Sequence, residues 1–167
     1  LCHLFCSTPH SDIAISQALL GLMLYHTSRI PARRSNDNAL ILLEDQDRKK
    51  WDQQMIQMAN EYMEKAMKSE YFTPYHIEAV IAGIHTHTKD YELTNWNLIA
   101  ELYGKLTQVN KGPIIKLNRA FALLKSGQLD AADAIISNLT PEEFGVHQYL
   151  FFAVCSNLAH ERGDLPN

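Results

Sequence analysis

Two groups of residues in this chain have types and spacings that chemistry could use. The first is basic: Arg29, Arg33 and Arg34 crowd one short stretch, and Asp45, Asp47, Arg48 and Trp51 follow soon after. Guanidinium groups bind carboxylates through paired, in-plane hydrogen bonds. These residues therefore either knit an irregular loop onto the next helix through Arg–carboxylate bonds, or leave some arginines available for an acidic partner segment or an anionic ligand. Both readings stand at this point. The second group is His76, His85 and His87. Two metal ligands on one helical face need a spacing of three or four, whereas residues two apart diverge. No metal is expected there.

Other reactive types are sparse. Cys2 and Cys6 are four apart, but no downstream Cys/His pair completes a tetrahedral zinc site. They read as small apolar residues. No glycine-rich phosphate loop, nucleophile elbow or paired-carboxylate arrangement occurs, so neither enzyme activity nor a cofactor is expected. Trp51 and Trp96 sit on apolar stripes, where an indole ordinarily anchors a core and gives its N–H to an acceptor. An exposed contact residue is the alternative.

Composition narrows the setting. The chain has 167 residues and is 46% hydrophobic, enough for one substantial core, and a single domain is the default. A formal charge of −4 gives no broad attraction for nucleic-acid phosphate, so direct DNA contact is not expected. The three cysteines, Cys2, Cys6 and Cys155, are an odd number without short paired spacing, which fits a reducing cytoplasm. Every apolar run is interrupted before the roughly 20 residues that a membrane-spanning helix needs. The chain begins at Leu1 without a methionine and is read as part of a longer polypeptide.

The elements that position these residues read as helices throughout. Ile13, Ile15, Leu19, Leu20, Leu22, Met23 and Leu24 recur at helical intervals over 11–28, with Ser11 or Asp12 suited to the N-cap. Residues 29–38 read as a loop and 40–43 as an extended or irregular segment. A broad stripe of Trp51, Met55, Ile56, Met58, Ala59, Tyr62, Met63, Ala66 and Met67 predicts a helix from after Asp47 to about Ser69, with Asp45 and Asp47 at its start. Thr73-Pro74 opens a helix to about Thr88, Thr94 caps another that stops at Asn110-Lys111-Gly112, and Pro113 opens the next.

From Pro113 onward the pattern becomes a repeat. Helices over 114–125 and 130–138 flank the Ser126-Gly127 turn, and Thr140-Pro141 opens a last helical region through His160. Ala120 and Ala132 supply the small residues that let paired helices approach closely, while Leu123, Leu129 and Ile136 fill the larger positions. This unit resembles a tetratricopeptide repeat. Gly163-Asp164 repeats the turn at close to the roughly 34-residue period, with Ser156 and Phe152 as the small and large residues of a second half-unit. Asn118 and Arg119 lie on the first repeat helix, either lining a surface offered to a peptide or satisfying a neighbouring backbone.

Several strings resemble one family more specifically. Arg29-Ile30-Pro31-Ala32-Arg33, Leu42-Leu43-Glu44-Asp45-Gln46-Asp47-Arg48 and Trp51-Asp52 are similar to a block in extracytoplasmic-function sigma factors that carry a C-terminal tetratricopeptide-like extension. The likeness continues through Pro74-Tyr75, Ala79, Ile81-Ala82, His85, Thr94-Asn95-Trp96, Ile99, Leu102-Tyr103 and Leu117-Asn118-Arg119-Ala120. It departs at Cys2-His3-Leu4-Phe5-Cys6 and at residues 7–10.

The resemblance implies an all-α fold, with an irregular bundle over 1–112, the sigma-factor-extension region, leading into antiparallel tetratricopeptide-like helix pairs over 113–167, packed as one continuous unit. It implies a regulatory domain that modulates transcription initiation by contacting the sigma core of the same chain, RNA polymerase or a regulatory protein. Candidate contact residues are Arg29, Arg33, Arg34, Asp47, Arg48, Trp51, Asn118 and Arg119. Ala120, Leu123, Gly127, Ala132 and Ile136 are the packing residues of the repeat. A helical-repeat scaffold for a peptide or small ligand, unrelated to transcription, is the alternative.

Overall fold

The computed structural model describes residues 10–35, 37–70 and 72–163, so Cys2 and Cys6 lie outside the described residues. It is all-helical, and the one β-type pairing among those residues is an isolated antiparallel bridge between Arg34 and Leu40. The helices are α1 (His10–Ser28), α2 (Gln53–Ala66), α3 (Pro74–His87), α4 (Trp96–Val109), α5 (Pro113–Lys125), α6 (Leu129–Ile136) and α7 (Gln148–Arg162). Short 3-10 turns occupy Ile30–Ala32, Arg48–Lys50, Tyr91–Leu93 and Pro141–His147. None of the described helices is long and apolar enough to cross a membrane.

The chain divides into two compact units, Leu1–Thr94 and Asn95–Asn167. The division expected from the sequence falls after Gly112, within one continuous unit. The helix that moves across is α4, which packs along α5 and sets Trp96 edge-on against Phe121 at 5.7 Å.

In the first unit, α1 packs on both α2 and α3. Its buried face is Ala14, Ala18, Leu22 and Tyr25, so of the isoleucine and leucine stripe expected only Leu22 is fully buried, and Met23 is exposed. Small side chains win this face because they let the facing helix come close: a Cβ on Gly21 would lie 2.9 Å from Met63 Cγ of α2. α2 answers with Ile56, Ala59, Met63 and Ala66, leaving Met58 and Met67 exposed. α1 already includes His10, so Ser11 and Asp12 lie within its first turn and not at a cap.

The start of α2 also differs from expectation. Asp52, not Asp45 or Asp47, is its N-cap, accepting from the Gln54 and Met55 amides at 3.0 Å each. Asp47 accepts from the Lys49 amide and caps the 3-10 turn before it. The intervening residues are held to α1, because the Asp52 amide donates to the carbonyl of Ser28, the last residue of α1. Residues 40–43 are irregular as read. Thr73 precedes α3, with Pro74 in its first turn, and α4 is capped by Asn95, whose Oδ1 accepts from the Leu98 amide, one residue after the Thr94 expected.

In the second unit, Ala120 and Ala132 are both fully buried, on two helices that pack as a pair. Gly127 has φ +79°, and the turn is locked by Gln128 N–H to Leu123 O and Gly127 N–H to Leu124 O, both 2.9 Å. That is a Schellman arrangement, which needs a left-handed residue that glycine adopts without Cβ strain. Leu123 and Ile136 are buried beside the alanines. The second half-unit does not keep the expected register: Phe152 and Ser156 are exposed, and α7 buries Phe151, Val154 and Leu158. The last helical region is broken at Gly145, whose φ of +52° separates the Pro141–His147 turn from α7.

Because Ala120 is fully buried on the helix that packs against α6, Ala120→Leu is expected to destabilise the chain by about 1–3 kcal/mol. Urea unfolding followed by circular dichroism measures it; an unchanged midpoint would mean the α5–α6 crossing is not tight.

Candidate functional site

The basic residues of the first unit converge on one indole. Trp51 follows the Arg48–Lys50 turn and is 3% exposed. Arg48 Cζ lies 4.6 Å and Arg29 Cζ 5.5 Å from the Trp51 ring centroid, both within cation–π range. Arg29 comes from the residue after α1, Arg48 from the start of the turn that Asp47 caps, so the two 3-10 turns are what bring them together.

The hydrogen bonds of these arginines go to neutral acceptors. Arg29 Nε donates to Gln46 Oε1 at 3.3 Å, and the buried Gln46 side chain in turn donates to the Ile41 carbonyl. Arg48 Nη1 donates to the His85 carbonyl near the end of α3 at 2.6 Å. Arg34 Nη1 closes its own loop on the carbonyl and side chain of Asn38. The bidentate Arg–carboxylate network that the sequence suggested is therefore not how this loop is fixed. Asp47 and Asp52 spend their carboxylates on backbone amides instead.

The result is a cluster of like charges. Burial, then Arg33 and Arg48, lowers the Arg29 guanidinium to about 10. Burial, then Arg29, Arg48 and His26, pushes His85 down to about 4. His26 is lowered by burial and by Arg29 and Arg33. Arg48 is also lowered by burial, with Asp90 and Glu92 pulling the other way. Two buried donors here, Arg48 Nη2 and the Trp51 indole N–H, lack a hydrogen-bond partner among the described residues. Trp51 is thus a core anchor as read, but without the acceptor its N–H was expected to find. Each such group costs about 1–3 kcal/mol when buried unsatisfied.

Arg48 and Trp51 also line an open cleft of about 640 Å³ between the segment before α2 and the segment after α3. Glu44, Asp47, Asp90 and Glu92 supply negative charge around it. The Tyr91 hydroxyl in its wall is pushed up by burial, Glu44 and Glu92. The cleft is therefore two-signed, since Arg48, Lys49 and Lys89 line it together with these carboxylates.

The structure brings together Arg29, Arg48, Asp47 and Trp51, with Arg33 acting on Arg29 through charge. Arg34 is exposed on its own turn. Asn118 and Arg119 belong to the second unit, each partly buried on α5. The histidines have separate roles. His76 Nδ1 accepts from the Thr73 amide at 3.2 Å, and His87 Nδ1 donates to the Gly83 carbonyl at 2.6 Å. Sequence reasoning missed Gln46 and His85 as members of this site. Gln46 is a neutral residue among acids in the sequence, and His85 contributes a backbone carbonyl and a titrating ring where its spacing suggests at most a metal ligand.

Comparisons with known proteins place part of this site within a recognised sequence block. The model of a family of unknown function, DUF6596, matches residues 1–67, which include Arg29, Arg48 and Trp51. Over 131 residues the chain is 37% identical to an uncharacterized protein of Rhizobium meliloti (strain 1021), an alignment that covers 78% of this chain and 31% of that protein. The chain thus spans about a third of the length of the curated relative it matches. No solved structure matches.

Burial of His85, reinforced by the cations around it, makes stability depend on acid in a definite direction. An unfolded histidine titrates near 6.5, while His85 stays neutral in the fold until about pH 4. The unfolded chain therefore binds the extra proton, and stability falls as pH drops from about 6.5 towards 4. Urea midpoints measured at pH 7.5 and 5 should fall more for the wild type than for His85→Asn. Equal losses would show that His85 does not carry this dependence.

Proposed function

We propose that this chain is a regulatory interaction module of a bacterial extracytoplasmic-function sigma factor, modulating transcription initiation by protein contacts and not by catalysis. The observation that carries the contact half of this reading is the Arg29–Trp51–Arg48 stack. Cationic groups are held together there on an indole and bonded to neutral acceptors, and Arg48 and Trp51 also line an open cleft. Fixed, mutually repelling cations gain most from an acidic group brought by a partner, because that group relieves repulsion as well as forming charge-assisted bonds.

The transcription half rests on sequence. The Glu44-Asp45-Gln46-Asp47-Arg48 and Leu117-Asn118-Arg119-Ala120 strings resemble those of sigma factors with a tetratricopeptide-like extension, and the family of unknown function matched over residues 1–67 takes in the first of them. The partner is the sigma core of the same polypeptide, RNA polymerase or a regulatory protein, and the chain's net charge of −4 disfavours direct nucleic-acid contact. A helical-repeat scaffold outside transcription is the competing reading.

Deleting this module from the full-length protein should change output from its target promoters while leaving promoter DNA binding by the rest of the protein intact. Arg29→Gln with Arg48→Gln should reproduce most of that change. Unaltered promoter output on deletion would overturn the proposal in favour of the scaffold.

A further inference from the structure

A second groove, in the second unit, has a simpler charge pattern. It is a cleft of about 270 Å³ lined by Thr107 of α4, Lys116 and Arg119 of α5, Ala134 and Ile135 of α6, and Asn138 just beyond α6. Lys116 and Arg119 are three apart on α5, which stacks two cations one turn apart on the same helical face. No carboxylate lines the groove, and neither cation has a hydrogen bond or ion pair to a described residue. Arg119 Nε is buried without an acceptor. The two other polar side chains are already engaged: Thr107 Oγ1 donates to the Gly104 carbonyl at 2.7 Å, and Asn138 Nδ2 to the Ala134 carbonyl at 2.7 Å.

The two cations thus have no carboxylate partner among the described residues. From this we infer that the groove is a binding site for the carboxylate of an acidic side chain, carried on a partner peptide with an apolar neighbour. An arginine and a lysine one turn apart present a forked donor and a point charge to one carboxylate. Ala134 and Ile135 form an apolar wall that would bury a hydrocarbon stem beside it, which favours an acid on a carbon skeleton over bare inorganic phosphate. The groove's size suits one such side chain and its neighbour and not a nucleic-acid strand. This site is separate from the Arg29–Trp51–Arg48 stack, and it stands or falls without any role in transcription.

The test is an NMR titration of the isotopically labelled 167-residue chain with an N-acetylated, C-amidated Leu-Glu-Leu-Glu peptide, its Leu-Gln-Leu-Gln counterpart, and inorganic phosphate. The glutamate peptide should give saturable shifts at the amides of Thr107, Lys116, Arg119, Ala134, Ile135 and Asn138. The glutamine peptide should bind at least about ten-fold more weakly. Lys116→Met with Arg119→Met should abolish the groove shifts while leaving intact any shifts at Arg29, Arg48 or His85, which report the other site. Absence of saturable groove shifts, equal response to the glutamine peptide, or response to phosphate alone would overturn the inference. The comparison of the two peptides on the wild-type chain decides the matter even if the double variant folds poorly.

Discussion

The packing of two guanidinium groups on one buried indole is the constraint around which the first unit's loops are arranged. Trp51 can be buried there only because Arg29 follows directly on the end of α1 and Arg48 begins the turn capped by Asp47, so two short 3-10 turns must stay in register. That register is set by backbone groups: the Asp52 amide bonded to Ser28, and Arg48 bonded to the His85 carbonyl. These bonds link the end of α1, the start of α2 and the end of α3. The helices are held in turn by Ala18, Gly21, Ala59 and Ala79, whose small size permits close approach.

The electrostatic cost of this arrangement is what makes it a candidate site. A loop fixed by Arg–carboxylate pairs would have its charges satisfied internally and little left to offer a partner. Here the carboxylates cap helix and turn N-termini, the arginines bond to amide and carbonyl oxygens, and burial, reinforced by the surrounding cations, holds His85 neutral down to about pH 4. An acidic partner group near His85 would act against several charges at once, since Arg29, Arg48 and His26 all bear on that ring.

Much of this was legible in the sequence, for reasons that differ by element. The helix starts at Pro74 and Pro113 and the Gly127 turn are set by single residues whose backbone preferences leave few alternatives. The crowding of Arg29, Arg48 and Trp51 was visible as proximity along the chain. What could not be read was the choice between Asp45, Asp47 and Asp52 as caps, because all three have the same local chemistry and tertiary bonds decide among them. The buried face of α1 was misjudged because large apolar residues surround that helix, and the face is selected by how closely α2 and α3 must pack. Phe152 was misplaced because the repeat spacing was extended across the break at Gly145, which resets the rotation of α7.

The central claim is that the cations around Trp51 await an acidic partner. The most direct measurement is the His85 imidazole pKa, read from its ring resonances by NMR, in the free chain and with a saturating acidic peptide bound. The account predicts a value near 4 that rises on binding, as carboxylates offset Arg29 and Arg48. A free-chain value near the usual 6.5, or one that does not move when the peptide binds, would contradict it.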